Sequence, residues 1–207
     1  MFSRSTHSRN LQIDPNIELS GSISERPSLT DFRTATFFLL AAIALACTQS
    51  ESPPDAPLEV PKTLWVEIAG EPFELELALD GATRHRGLSG RLSIEPNGGM
   101  LFVSTVERPQ AMVMRDCPIP IDVAFLGSSG EVLAIHEMRP ELPRRPAESQ
   151  RDYESRLRIY DSGVPAGFAI ETAGGRLGEI GLQVGDRVVF DIARTLDLAR
   201  RVEAQQR

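Results

Sequence analysis

Apolar and polar residues alternate most clearly just after position 60. The segments Leu64–Ile68 and Phe73–Leu77 place an apolar side chain at every second position, and Ala69-Gly70-Glu71 separates them. A period of two is typical of a half-buried strand, because successive side chains point to opposite faces. The glycine-containing break between the two segments predicts a hairpin.

Several short apolar segments with turn residues between them continue this pattern. We expect strands at Met100–Val103, Ala111–Met114, Ile121–Leu126, Glu131–His136, Gly167–Glu171 and Arg187–Ile192. Gly127-Ser128-Ser129-Gly130 predicts a second hairpin. Many short strands separated by turns favour a mainly β, compact single domain, either a barrel or a sandwich, with one or two short helices.

Three segments have helical rather than strand patterns. Asp80 is positioned to cap a short helix over 82–88, and the charged, turn-free segment 148–157 predicts a helical insertion at the surface. In the tail, 193–207, the apolar residues Leu196, Ala199 and Val202 lie on one helical stripe. We therefore expect the tail to pack back on the domain.

The longest apolar run is Ala35–Ala46, which is shorter than the roughly 20 residues of a membrane-spanning helix but typical of a secretory signal. It ends in Ala44-Leu45-Ala46-Cys47, which resembles the lipobox of bacterial lipoproteins, although Ala44 and Leu45 depart from its usual residues. The resemblance implies that Cys47 is lipidated and becomes the mature N-terminus. Ordinary cleavage after Ala46 and a short uncleaved anchor are the alternatives.

This signal and the prolines that follow it predict the organisation of the chain. We expect a leader at 1–46, a Pro-rich tether at 47–61, a β-rich domain at 62–192 and a helical tail at 193–207. Thr48, rather than an acidic residue, follows the cysteine. By resemblance to proteobacterial sorting, we expect the protein to be exported and anchored through Cys47, with the periplasmic side of the outer membrane favoured.

Charge and motifs exclude several classes of function. The 207 residues carry a formal net charge of -7, which argues against binding to nucleic acid. The sequence contains no Gly-rich phosphate loop, serine nucleophile elbow or dinucleotide fingerprint. Only three histidines are present, without ligand spacing, so we expect no cofactor and no metal, and an enzymatic activity is less expected than a binding role.

A candidate polar site lies in the central part of the sequence. Its residues are Arg91, Arg115, Asp116, Asp122 and Glu171. Asp122 falls within a predicted apolar strand, so its carboxylate needs a partner, and Arg115 or Arg91 is the expected one. Either this ion pair is structural, or a cleft is present in which Arg115 orients an anionic ligand or Asp122 accepts a proton.

Two chemical alternatives remain open. One is a hydrolase that uses Asp122 and Arg115 in a cleft, with Asp122 and Glu171 as paired carboxylates in its glycosidase form. The other is a copper-binding module that uses Met112, Met114 and Cys117, because soft sulfur ligands suit cuprous copper. Methionines on the inner face of a strand are more often core residues, and Cys117 is expected to be a buried filler.

Several local motifs occur in a defined order along the domain. They are Arg86–Arg91, Gly99–Val103, Met114-Arg115, Pro118–Phe125 and Gly185–Val188. Together they resemble the family catalogued as domain of unknown function 192, over about 63–192. The resemblance implies a compact, mainly β fold in an often exported prokaryotic protein, and no established activity.

The chain departs from the family pattern at one motif. Relatives commonly carry an aromatic pair followed by Met-Lys-Asn-Thr, where this chain has Met112-Val113-Met114-Arg115-Asp116-Cys117. The resemblance therefore does not imply that this chain binds a ligand by stacking on those aromatic residues. The leading hypothesis is a non-catalytic envelope domain that binds a small ligand, a glycan or an envelope protein.

The lipobox resemblance predicts a modified N-terminus. We expect the mature protein to begin at a lipidated Cys47 and to partition with membranes, whereas Cys47→Ser should abolish lipid attachment and release the protein. Mass spectrometry of the N-terminus, together with membrane fractionation, checks this. An intact N-terminus upstream of Cys47 would contradict the prediction.

Overall fold

Six strands and four helices make up residues 59–206, the part of the chain that the computed structural model describes. The strands are β1 (Thr63–Ile68), β2 (Glu71–Ala78), β3 (Gly98–Met112), β4 (Ile121–Leu126), β5 (Val132–Met138) and β6 (Tyr160–Ala173). The helices are α1 (Gly81–Arg86), α2 (Gln150–Arg156), α3 (Arg176–Glu179) and α4 (Ile192–Gln205). The mainly β, single-domain fold is confirmed, with more helices than the one or two expected. The leader, Cys47 and most of the tether lie outside the described residues.

The strands form one sheet in the order β1-β2-β3-β6-β4-β5. All neighbours are antiparallel except β2 and β3, which run parallel. A parallel pair needs a long crossover connection, and α1 with the loop 87–97 supplies it. The sheet is not closed into a barrel.

One predicted strand, Arg187–Ile192, is wrong. The segment crosses between the two edges of the sheet, so Val189 bridges Glu67 of β1 while Arg187 bridges Glu131 beside β5. Residues 185–188 form backbone hydrogen bonds with residues 130–132, and Val189 pairs with Glu67, so each contact is too short to form a strand. Ile192 already begins α4, which Asp191 caps by accepting the Arg194 N–H.

The hairpin and cap predictions are confirmed. Ala69 and Gly70 between β1 and β2 both have positive φ, 50° and 82°, as a tight two-residue turn requires. Asp80 accepts the backbone N–H of Thr83 at 2.9 Å and begins α1. The predicted strands at 100–103 and 111–114 are parts of the single long strand β3 and its exit.

Both faces of the sheet are buried, in two separate cores. Leu101 on β3 and Ile170 on β6 belong to the first core, which α3 and α4 also enter. The adjacent residues Phe102 and Ala169 belong to the second core, because side chains alternate between faces. In α4, Ala199 is buried in the first core, and Leu196 and Val202 pack against it, as the helical stripe predicts. Within 59–206 no helix is long and apolar enough to cross a membrane.

Asp122 on β4 is 1% exposed, and its partners are backbone groups. Its Oδ1 accepts the N–H of Gly175 at 2.9 Å, and its Oδ2 accepts the N–H of Leu177 at 3.0 Å. These donors belong to the start of α3, where N–H groups have no partner within the helix. Burial raises the pKa of Asp122, and the two N–H groups oppose that rise.

The predicted ion pair of Asp122 with Arg115 or Arg91 is wrong. Arg91 forms a two-point pair with Glu76 at 2.5 and 2.7 Å. Arg115 lies 3.1 Å from Glu154. The end of β6 leads directly into α3 beside Asp122, so backbone donors satisfy the carboxylate instead of an arginine.

We predict that Asp122→Ala lowers the free energy of unfolding by about 2–4 kcal/mol, because it leaves two N–H groups of α3 without an acceptor. Asp122→Asn keeps one acceptor and the shape, so it should cost less. Asp80→Ala, which removes the half-buried cap of α1, is the matched control and should cost about 1 kcal/mol. Urea unfolding measures all three, and equal losses for Asp122→Ala and Asp80→Ala would contradict the prediction.

Candidate functional site

Glu171 lies near the end of β6, where this strand pairs with β3 on one side and with β4 on the other. It stands opposite Met100 of β3 and Val123 of β4, so its side chain points to the face of the second core. The residue is 6% exposed, and within 59–206 its carboxyl group has no hydrogen-bond partner. A buried carboxyl without a partner costs stability, which makes it a candidate for a functional group.

Glu171 and Asp122 cannot act as paired carboxylates. Glu171 on β6 stands opposite Val123 on β4, and Asp122 immediately precedes Val123 on β4. Successive residues of a strand point to opposite faces, so the two carboxyl groups lie on opposite sides of the sheet. Arg115 does not reach Asp122 either, so the predicted hydrolase arrangement does not form.

A small cavity opens onto Glu171 between α1 and the end of β3. It has a volume of about 160 Å³, and Ser89, Phe102, Met112, Arg115 and Cys117 line it with Glu171. We call it the Arg115–Glu171 cleft. A shallower cavity of about 400 Å³ adjoins it and shares His85, Phe102 and Met112 among its lining residues.

Burial raises the pKa of Glu171 from 4.5 to about 8. Burial disfavours the charged form, and no hydrogen bond opposes this effect. At neutral pH the group is therefore mostly a neutral carboxylic acid, which can donate a hydrogen bond into the cleft as well as accept one.

Cys117 lies in the same cleft and remains a thiol. Its Sγ and the Ser89 hydroxyl both donate to the backbone carbonyl of Arg115, at 3.4 and 2.8 Å. Burial, followed by the charge of Glu171, raises the pKa of Cys117 to about 11. A thiol is a poor nucleophile, so this geometry does not favour covalent catalysis at Cys117.

Four arginines line the cleft and the cavity that adjoins it: Arg84, Arg86, Arg108 and Arg115. Arg84 is held by the carbonyls of Leu79 and Val103 and by Glu203 on α4. Within 59–206, Arg86 and Arg108 form no ion pair. The cleft is therefore locally basic in a chain of net charge -7.

Arg115 is oriented by groups on two sides. Its Nη1 donates to the backbone carbonyl of His85 at 3.0 Å. Its Nε lies 3.1 Å from Glu154 on α2, but at an angle too poor for a hydrogen bond, so this buried N–H has no hydrogen-bond acceptor within 59–206. We regard the contact with Glu154 as an ion pair, because charge attraction needs no strict angle.

The other predicted site residues lie outside the cleft. Asp116 is exposed, has a φ of 52°, and exchanges two hydrogen bonds with the Tyr153 hydroxyl of α2 at 3.0 and 3.1 Å. Aspartate tolerates this left-handed conformation better than most residues. Arg91 belongs to a different groove with Glu76, so Arg115 and Glu171 are the predicted site residues that meet.

The predicted copper ligands do not all face one space. Met112 and Cys117 line the cleft, whereas Met114 is 1% exposed and packs in the second core. In the part of the chain that the structure describes, no three His, Cys, Asp or Glu side chains are grouped to hold a metal.

Sequence reasoning missed Ser89 and the arginines of α1 and β3. Arg84 and Arg86 flank His85 near the end of α1, and Arg108 is exposed on β3. Basic residues are common in the last turn of a helix because they interact favourably with the helix dipole, so this pattern did not indicate a site. Only the packing of α1 against β3 brings these groups together.

The raised pKa of Glu171 predicts a pH-dependent stability. The folded protein retains a proton that the unfolded chain loses, so the contribution of Glu171 is complete below pH about 4.5 and is lost as the pH rises to about 8. Glu171→Gln removes this loss. We expect the unfolding free energy of the variant, relative to the natural protein, to rise by up to about 1.4 kcal/mol per pH unit between these values.

Urea unfolding from pH 5 to 9 measures the effect, with the exposed Glu131→Gln as the control for general charge effects. Parallel pH profiles for Glu171→Gln and the natural protein would contradict the raised pKa.

Comparison with known proteins agrees with this architecture. A crystal structure from Sinorhizobium meliloti, described as that of a candidate transcription regulator, is similar with a TM-score of 0.50 and 28% identity, over 63% of this chain and 96% of that one. A protein of unknown function from Novosphingobium aromaticivorans has a TM-score of 0.53 and 23% identity, over 68% of this chain and 94% of that one. The second likeness shows the fold alone.

No curated protein matches the sequence. The sequence model of one family, described as DUF192, Uncharacterized ACR, COG1430, matches residues 64–190, which is more than half of the 207 residues. This range agrees with the motifs and with the strands that surround Glu171. The chain belongs to the DUF192 family.

Proposed function

We propose that this protein binds a small organic anion, without catalysis, in the Arg115–Glu171 cleft. The observation that carries the proposal is the buried, unpartnered carboxyl group of Glu171 at the floor of a cavity lined by arginines. Neutral Glu171 donates a hydrogen bond to the ligand, and the arginines attract its charge.

The charges around the cleft favour an anion. Glu203 and Glu154 compensate Arg84 and Arg115, which leaves Arg86 and Arg108 without a carboxylate partner within 59–206. Glu171 is mostly neutral near pH 7 and adds little negative charge. Arg86 and Arg108 would repel a cationic ligand and attract an anionic one.

The size and the walls of the cleft favour a small, partly apolar ligand. The inner cavity of about 160 Å³ is below the roughly 300–1,000 Å³ of drug-sized sites, and the shallower cavity beside it extends the space outward. Phe102 and Met112 provide apolar contact. A short carboxylic acid, with its charge toward Arg86 and Arg108, fits these features.

The sequence supports an envelope setting for this binding. The signal-like run before Cys47 and the Pro-rich segment after it favour export and a lipid anchor, with the domain held away from the membrane. A net charge of -7 is unfavourable for DNA binding and argues against the transcription role named in the description of the Sinorhizobium structure.

A thermal-shift panel tests the proposal on the full chain at constant ionic strength, with acetate, lactate, succinate, benzoate and inorganic phosphate as probes. We expect at least one carboxylate to raise Tm by several degrees, since a ligand at 100 times its Kd adds about 2.7 kcal/mol. The double variant Arg86→Gln/Arg108→Gln should lose this shift.

The exposed Arg151→Gln on α2, outside the cleft, is the matched control and should keep the shift. Equal stabilisation by all anions, or a shift that persists in the double variant, would overturn the proposal.

A further inference from the structure

The outer face of the β1–β2 hairpin carries a second, larger groove. Thr63, Trp65, Glu74 and Glu76 line it from the hairpin, and its volume is about 760 Å³, within the roughly 300–1,000 Å³ of ligand sites. Trp65 is 66% exposed and is the only tryptophan of the chain. A tryptophan ring left in water costs hydrophobic free energy, so its exposure in a groove points to a binding role.

The opposite wall is the loop 93–97, and both of its ends are held in place. At one end Arg91 forms its two-point pair with Glu76, across the groove floor. At the other end Asn97 donates to the carbonyl of Pro72 at 3.0 Å, and Arg176 donates to the Asn97 side chain at 2.8 Å. A groove with fixed walls loses less entropy on binding than a flexible one.

Several polar groups in the groove are available to a ligand. Within 59–206 the side chains of Ser93 and Glu95 have no hydrogen-bond partner, and the same holds for the indole N–H of Trp65. Glu74 accepts from Thr63 through one oxygen, which leaves the other free. The groove thus offers both donors and acceptors around one aromatic ring.

We propose that this groove, which we call the Trp65 groove, binds a carbohydrate, either neutral or amine-bearing. The flat ring of Trp65 stacks on the C–H face of a sugar ring, and sugar hydroxyl groups donate to Glu74 and Glu95 while accepting from Ser93 and Trp65. The hydroxyl group both donates and accepts, so it matches this mixed lining better than a purely apolar ligand does.

The charges of the groove exclude acidic saccharides. Arg91 is the one basic residue among the lining side chains described, and Glu76 holds it. Glu74 and Glu95 therefore lack a basic partner within 59–206 and repel a carboxylate or sulfate on the ligand. Pro72, Ile94 and Pro96 add apolar surface beside Trp65, which suits the C–H face of a sugar ring.

Trp65 itself reports binding, because it is the only tryptophan. Cellotetraose, chitotetraose and its de-acetylated form are titrated into the full chain, with a tetramer of galacturonic acid as the acidic comparison. We expect a change in Trp65 fluorescence with at least one neutral or amine-bearing probe and none with the acidic tetramer.

Isothermal calorimetry measures the variants, since Trp65→Ala lacks the fluorophore. We expect Trp65→Ala to weaken binding by roughly tenfold or more, with a smaller loss for Trp65→Phe, which keeps an aromatic ring. Leu92→Ala is the matched control: Leu92 is 82% exposed near the same loop but does not line the groove, and its removal should leave binding unchanged.

Three outcomes would overturn the inference: no response to any saccharide at millimolar concentration, a response to the acidic tetramer equal to that of the neutral ones, or undiminished binding by Trp65→Ala. The test is independent of the Arg115–Glu171 cleft. Arg108→Gln, which alters the cavity beside the cleft and does not line the Trp65 groove, should leave saccharide binding intact.

Discussion

The structure depends on the register in which β6 pairs with both β3 and β4. Residues 168–171 of β6 stand opposite β3 on one side and β4 on the other, so this strand sets which side chains enter which core. The contact with β3 is close: a Cβ on Gly99, whose φ is +146°, would lie 2.0 Å from the carbonyl oxygen of Glu171. Only glycine permits this approach, so the position of Glu171 and the absence of a side chain at 99 are linked.

Two buried acids on neighbouring strands have opposite surroundings because of this register. Asp122 faces the first core and meets the first turn of α3, whose N–H groups stabilise its charge. Glu171 faces the second core, where burial raises its pKa to about 8 and, within 59–206, no donor compensates. A displacement of one residue would exchange these faces, since strand side chains have a period of two. Asp122, whose carboxylate accepts two hydrogen bonds, therefore stabilises the fold, whereas the carboxyl group of Glu171 stays without a donor beside a cavity.

The crossover between the parallel strands β2 and β3 forms a wall of each proposed site. Its first part, α1 and Ser89, lies over the Arg115–Glu171 cleft, and its second part, the loop 93–97, borders the Trp65 groove. Arg91 stands between them and is fixed to Glu76 of β2. A connection that the topology requires thus carries Arg86, Ser93 and Glu95, which contribute to the two proposed sites, and functional side chains are common on loops held by a rigid sheet.

The sequence by itself determined the local structure of this protein. The period-two pattern located β1 and β2, a short apolar segment located β4, the cap at Asp80 located α1, and the apolar stripe located α4. These signals act between residues close in the chain. The ordered motifs were also enough to identify the family.

Partners far apart in sequence were decided only by the tertiary structure. Asp122 bonds to Leu177, 55 residues away, and Arg115 turns to Glu154 rather than to Asp122. A carboxylate accepts a hydrogen bond from a backbone N–H as readily as from an arginine side chain. Residue types alone therefore could not identify the partner of Asp122, and the placement of α3 beside β4 decided it.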